Sequence, residues 1–290
     1  MNLQLVRTPT SDNLFLNALY SPGDTSKPAV LFIHGFCGDF YSNTFFHKIR
    51  EQLQSQNIAS LAIQTRGTGI LTEFFTEDGE GREIGSYYEK LEEAHLDISA
   101  WIEFLHAQGY KDIILAGYSL GTIKAVRYLF EGKYADLVKK LVLLAPFDKN
   151  GYMERLIPGS LKDYVKIAEQ MVQQGKGLAF VPPHMEDYPM SYQTYVSWYK
   201  DSDLSSMWDF YRGDEYNFPA MSKISVPTSI VVGDADDFFY IPELTTLEKT
   251  KEILHKYIKN LELTIIPGAE HSFVEFEERV AQSVVTFIVT

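Results

Sequence analysis

Five residues, Gly117-Tyr118-Ser119-Leu120-Gly121, constrain this chain more than any others. An apolar run, Asp112–Ala116, precedes them, and an amphipathic run, Thr122–Phe130, follows with Ile123, Val126 and Phe130 at helical spacing. The first run reads as a buried strand and the second as a helix. A Gly-x-Ser-x-Gly turn in that setting is a nucleophile elbow. The turn is too tight for side chains on its flanks, so glycine fills both flanking positions. The serine is pushed to the tip, at a helix N-terminus, where partial positive charge favours a developing oxyanion. The pentapeptide also occurs by chance, so the rest of the chain has to supply the context.

That context is an alternation of strands and helices. Leu3–Val6 and Leu14–Tyr20 read as an N-terminal hairpin. Ala29–Ile33 is a continuous apolar run, as a parallel strand covered on both faces requires. Phe45, Ile49 and Leu53 mark a helix, Ile58–Ile63 a strand, and a long helix containing Asp97–His106 is expected to start near Ser86. Strands follow at Ile113–Ala116, Leu141–Leu144, Ser229–Val232 and Leu263–Ile266, with helices at Glu243–Ile258 and Val274–Ile288. The fold class is therefore α/β, with a mostly parallel sheet and helices on both faces. Ligands of such sheets sit at the carboxyl ends of the strands.

Asp148 to Ser222 breaks the alternation, with helical stretches at Leu161–Gln173 and Tyr192–Tyr199 and no clear strand. We read it as an inserted helical cap: residues 1–147 and 223–290 form the core, and residues 148–222 the cap. Ten of the 31 residues from Tyr188 to Phe218 are aromatic. Most should form the cap's own core, while a few, with Trp198 and Trp208 as candidates, line an apolar pocket. Tyr118 and Cys37 are further candidates for touching substrate. The acidic, glycine-rich stretch Leu71–Gly85 is expected to be a mobile loop that either edges the pocket or is merely solvated.

The formal charge of −13 repels phosphate backbones and anionic lipid, so nucleic acid and acidic membranes are not expected as partners. The single cysteine, Cys37, rules out an intrachain disulfide. The first residues lack the basic-then-apolar pattern of a leader, and no apolar run is long enough to span a bilayer. The expected location is the cytoplasm, with a homodimer left open. No phosphate-cradling loop, zinc-ligand spacing or dinucleotide fingerprint is present, so neither cofactor nor metal is expected.

A serine nucleophile needs a base, and the base needs an orienting acid. His271 follows the last strand, in Ile265-Ile-Pro-Gly-Ala-Glu-His-Ser-Phe273, and so lies at the same sheet edge as the serine. His47, His95, His106 and His255 fall on helices, and His184 lies in the inserted segment. The acid should follow the penultimate strand, where Asp234, Asp236 and Asp237 all qualify and Asp148 is a fourth choice. The oxyanion needs two pre-aimed backbone donors. Leu120 supplies one, and the loop His34-Gly-Phe-Cys-Gly-Asp39 the other, with Phe36 first and Cys37 next. His34 should support that loop. Cys37 has no elbow and no paired base, and reads as a small loop residue.

Together, His34-Gly-Phe36, Arg66-Gly-Thr-Gly69, the elbow, Gly233-Asp-Ala-Asp236 and Gly268-Ala-Glu-His-Ser-Phe273 resemble the α/β-hydrolase superfamily over nearly the whole chain. The likeness is greatest to serine carboxylesterases and lipase-like members with a helical cap. The resemblance implies an acid closing a Gly-x-x-Asp segment, which selects Asp236. Two positions depart from the pattern: Gln64 stands where members often carry aspartate, and Thr122 where a further glycine often follows the elbow. The implied catalytic set is Ser119, Asp236 and His271, with the amides of Phe36 and Leu120 as oxyanion donors. The implied reaction is hydrolysis of a small to medium carboxylic ester through an acyl-enzyme. An acyltransferase or thioesterase using the same groups is the alternative. A non-catalytic binding protein on a hydrolase scaffold is a third reading.

Overall fold

A computed structural model describes residues 3–290. The leader reading rests partly on Met1 and Asn2, which lie outside the described residues. An eight-stranded sheet runs through the molecule in the order β1 (Gln4–Pro9), β2 (Phe15–Ser21), β4 (Ser60–Ile63), β3 (Ala29–Ile33), β7 (Ile113–Tyr118), β8 (Val138–Leu144), β9 (Thr228–Gly233), β10 (Leu261–Ile266). β1 and β2 pair antiparallel, as do β2 and β4, and every pairing from β4 to β10 is parallel.

The central strands read as unbroken apolar runs because both of their faces are covered. Alternate residues supply two separate cores. Val30, Phe32, Val142, Leu144 and Val231 point to one face, which α1 (Thr44–Ser55) and α9 (Glu277–Val289) cover with Phe45, Ile49, Val280 and Val284. Leu31, Ile33, Leu141, Leu143 and Ile230 point to the other. There α2 (Ala94–Ala107), α3 (Leu120–Glu131) and α8 (Leu247–Tyr257) bring Trp101, Ile102, Ile123, Val126 and Leu254. Each fully buried aliphatic side chain contributes roughly 1.5–3 kcal/mol relative to exposure. A one-residue slip in any central strand would exchange its two sets of contacts.

Two expectations are corrected. The long second helix begins at Ala94, after a 3-10 turn at Leu91–Glu93, and not near Ser86. The backbone of the preceding residues is committed elsewhere: Ser86 and Tyr87 donate to the carbonyls of Gly69 and Ile70, and the Tyr87 carbonyl accepts from Ser191. Second, Leu71–Gly85 is not a mere loop. It folds as a hairpin of β5 (Glu73–Phe75) and β6 (Gly81–Glu83), turned at Asp78-Gly79, with Gly79 at φ 83° and Phe74 buried.

Between β8 and β9 the chain is helical, with α4 (Lys149–Leu156), α5 (Leu161–Gln173), α6 (Tyr192–Tyr199), a 3-10 turn at Phe210–Glu215 and α7 (Pro219–Ser222). Asp148 caps α4 by accepting from the Gly151 amide at 2.8 Å, and Ser191 caps α6 by accepting from Thr194 at 3.2 Å. Among the described residues, no helix is long and apolar enough to cross a membrane.

Candidate active site

β7 passes into α3 through one residue, Ser119, which sits at φ 52° and ψ −120°. Such a conformation is costly for a residue with a side chain. The surrounding structure holds it: the Ser119 amide donates to the Leu144 carbonyl at 2.9 Å, and its carbonyl accepts from the Thr122 amide at 2.9 Å. A Cβ on Gly117 would collide with the Gly121 carbonyl, and one on Gly121 with the Ile33 carbonyl. Thr122, the departure from the glycine pattern, has work of its own. Its hydroxyl donates to the Ser119 carbonyl at 2.6 Å and accepts from the Trp208 indole N–H at 3.1 Å.

His271 lies past the end of β10. Its Nε2 is 2.9 Å from Ser119 Oγ, and its Nδ1 is 3.0 and 2.9 Å from the two oxygens of Asp236. A carboxylate only accepts, so the Nδ1–H donates to Asp236, and Nε2 faces the serine hydroxyl. Asp236 is fully buried, and its Oδ1 also accepts from the amides of Phe238 and Phe239 at 2.9 and 3.1 Å. The histidine ring stands against the rings of Phe238 and Tyr118, with centroids 4.9 and 5.5 Å away. The Tyr118 hydroxyl donates to the His271 carbonyl at 3.2 Å. Burial, with the Asp236 charge nearby, raises the Tyr118 pKa and keeps that hydroxyl a donor.

The other acids are engaged elsewhere. Asp234 accepts from the Gly268 amide at 2.6 Å, Asp237 is exposed and lies 3.7 Å from Arg155, and Asp148 caps α4.

The loop after β3 lies against the serine, so closely that a Cβ on Gly35 would stand 2.9 Å from Ser119 Cβ. His34 organises this loop. Its Nδ1–H donates to the Gly35 carbonyl at 2.8 Å, and its Nε2 accepts from the Thr65 amide and from the hydroxyls of Thr65 and Thr68 at 3.0–3.2 Å. Burial and the Lys124 charge push its pKa down to about 3, so the ring is neutral. The Gly35–Phe36 peptide is planar and trans, so fixing the Gly35 oxygen aims the Phe36 N–H the opposite way. Among the described residues, neither the Phe36 nor the Leu120 N–H is taken up by a turn or loop hydrogen bond.

Ser119 and His271 open into a cavity of about 190 Å³. Phe36, Tyr118, Phe147, Tyr152, Glu186, Tyr188, Met190, Trp198, Tyr199 and Phe238 complete its wall. Tyr118 and Trp198 are both in this wall. Cys37 and Trp208 are not among its lining residues. The Cys37 thiol lies 3.0 Å from the Ser86 hydroxyl, and burial raises its pKa. The Trp208 indole is buried against Thr122. Phe147 and Phe238 were not anticipated, although each closely follows a strand that ends at the site. Glu186 was missed altogether: its partner, the Tyr199 hydroxyl, is thirteen residues away in sequence, and no pattern links the two. Among the described residues, no group of three His, Cys, Asp or Glu side chains is arranged to hold a metal ion.

A serine, an imidazole and a buried carboxylate in line, at the carboxyl ends of parallel strands and beside two free amides, define a serine hydrolase of the α/β-hydrolase fold. Residues 24–279 match the model of the family described as serine aminopeptidase, S33, and the chain belongs to that family. A candidate non-heme chloroperoxidase of Synechocystis sp. is 29% identical over 189 residues, which are 56% of this chain and 61% of that protein's length. Three solved structures share the fold at low identity. An α/β hydrolase, GrgF, from Penicillium sp. matches at TM-score 0.66 and 16% identity, over 99% of this chain and 98% of its own. An esterase of Exiguobacterium antarcticum matches at 0.61 and 17%, over 98% and 99%. An esterase of Pyrococcus furiosus matches at 0.60 and 19%, over 99% and 91%.

Proposed function

We propose that the protein hydrolyses a small to medium carboxylic ester through an acyl-enzyme, with residues 148–222 as a cap over the site. The observation that carries this reading is the line of contacts from Asp236 through both nitrogens of His271 to Ser119 Oγ, opening into an apolar cavity. Ser119 attacks the ester carbonyl while its proton passes to His271 Nε2, and Asp236 stabilises the imidazolium that forms. The amides of Phe36 and Leu120 receive the developing oxyanion. His271 then protonates the departing alcohol. Water, deprotonated by the same ring, attacks the acyl-enzyme, and the acid leaves as Ser119 regains its proton. The esterase names among the fold neighbours support this choice of substrate. The lone cysteine is compatible with a reducing compartment such as the cytoplasm.

A series of p-nitrophenyl esters, acetate to decanoate, tests the proposal. Turnover with an optimum at short to medium chains is expected, and no turnover of any of them would overturn it. Adding amine, thiol or alcohol acceptors separates hydrolysis from acyl transfer, since a hydrolase yields free acid in their presence.

A further inference from the structure

Among the described residues, Glu186 is the one acidic side chain lining the cavity, and no Lys or Arg lines it. Glu186 is 5% exposed. Its Oε2 accepts from the Tyr199 hydroxyl at 2.6 Å and its Oε1 from the Tyr188 amide at 3.2 Å. Both partners are neutral. The charge felt most strongly from outside these bonds is that of Asp187, which is of the same sign. The Lys149 ammonium stands over the Tyr199 ring, 5.3 Å from its centroid, but binds Asn150 Oδ1 at 2.9 Å and not Glu186.

Burying a carboxylate without a counter-charge is costly, and such groups are ordinarily paired. Each oxygen of Glu186 accepts one hydrogen bond and retains acceptor capacity. Around it the wall is aromatic, with Phe36, Tyr152, Tyr188, Trp198, Tyr199 and Phe238. Ring faces are electronegative and attract cations, most strongly where water is excluded. An apolar cavity built only for acyl chains needs no such acid, whereas an acid among ring faces suits a positive group.

We propose that Glu186 is a specificity-determining residue that selects ester substrates carrying an ammonium group and rejects anionic ones. The cation seats among the cavity's rings and supplies the counter-charge that the lining residues lack. This deepens the esterase reading and rests on it. The Tyr199 hydroxyl and the Tyr188 amide are positioning groups that fix the carboxylate.

Two esters of matched shape and opposite expectation test it: butyrylcholine and its uncharged isostere 3,3-dimethylbutyl butyrate. The readout is the ratio of their kcat/KM values, in which any general loss of activity cancels. Wild type should favour the cation about tenfold. Glu186→Gln, which keeps the shape and removes the charge, should bring the ratio near one, and Glu186→Asp should retain part of it. A ratio that is the same in wild type and Glu186→Gln would overturn the proposal while leaving the esterase reading intact. If neither protein hydrolyses any ester, that reading fails, and a binding measurement decides the inference alone. Phenyltrimethylammonium is titrated into Ser119→Ala and Ser119→Ala/Glu186→Gln, followed by tryptophan fluorescence. Affinity about tenfold weaker in the double variant sustains the inference, and equal affinity overturns it.

Discussion

His271 Nε2 lies 2.9 Å from Ser119 Oγ across 152 residues of sequence, brought there by two parallel strands that end at the same edge of the sheet. On the proposed mechanism, removing the hydroxyl removes the nucleophile, and the fold is expected to persist. Ser119→Ala is expected to lower p-nitrophenyl butyrate turnover by about 10³-fold or more. The melting temperature should stay within a few degrees of wild type, because alanine occupies the same backbone position and no core contact is lost. Turnover near wild type would remove Ser119 from the chemistry.

Three aspartates follow β9 within four residues, but one touches the imidazole. Asp236→Asn lets an amide N–H face Nδ1, which favours the wrong tautomer, and kcat is expected to fall by about 10³–10⁴. Asp234→Asn and Asp237→Asn change groups that bind Gly268 and Arg155. Both should keep kcat within a few-fold. Steady-state kinetics of the three variants, with circular dichroism to confirm folding, distinguishes the sites.

The sheet was legible because its central strands are buried on both faces, a pattern that survives without tertiary information. The elbow and the His271 loop were legible because each chemical group stands at a strand end, where turn glycines punctuate the sequence. Asp236 was separable from Asp234 and Asp237 only through family resemblance, since spacing alone permits all three. The hairpin β5–β6 was not legible because its strands are three residues each, too short for alternation to register. Trp198 and Trp208 look alike in sequence. One lines the cavity and the other bonds to Thr122, a difference that only the packing of the inserted segment decides.

That difference is measurable. Trp198→Ala enlarges the cavity wall against which Phe36 rests, its ring centroid 5.1 Å away. The acyl-length optimum is expected to shift by two or more carbons toward longer esters. Trp208→Ala instead empties a fully enclosed site, and should cost roughly 3–5 kcal/mol of stability with the length preference unchanged. Denaturant melts and the ester series, run on both proteins, should give these opposite patterns. A shifted preference in Trp208→Ala would show that the two residues share one pocket.

His34 couples the loop after β3 to pH. Its ring is held neutral in the native state, with a pKa near 3 against the ordinary 6.5, because burial and the Lys124 ammonium both oppose a second proton. Between those two values the unfolded chain binds a proton that the native chain does not. Stability therefore falls as pH drops through this window, by about 1.4 kcal/mol per pH unit at its steepest from this ring alone. Above pH 6.5 the contribution is complete and flat. His34→Gln replaces the ring with a group that does not titrate, and its stability should vary less between pH 7 and pH 4.5 than that of wild type. The same variant loosens the grip on the Gly35 carbonyl and so on the aim of the Phe36 N–H. Its kcat at pH 7.5 should fall about 10- to 100-fold with little change in KM, since on the proposed mechanism this donor acts on the transition state and not on the bound ester. Urea melts at the two pH values, alongside kinetics, test both effects; parallel pH profiles for wild type and variant would mean that the ring's protonation does not limit folding.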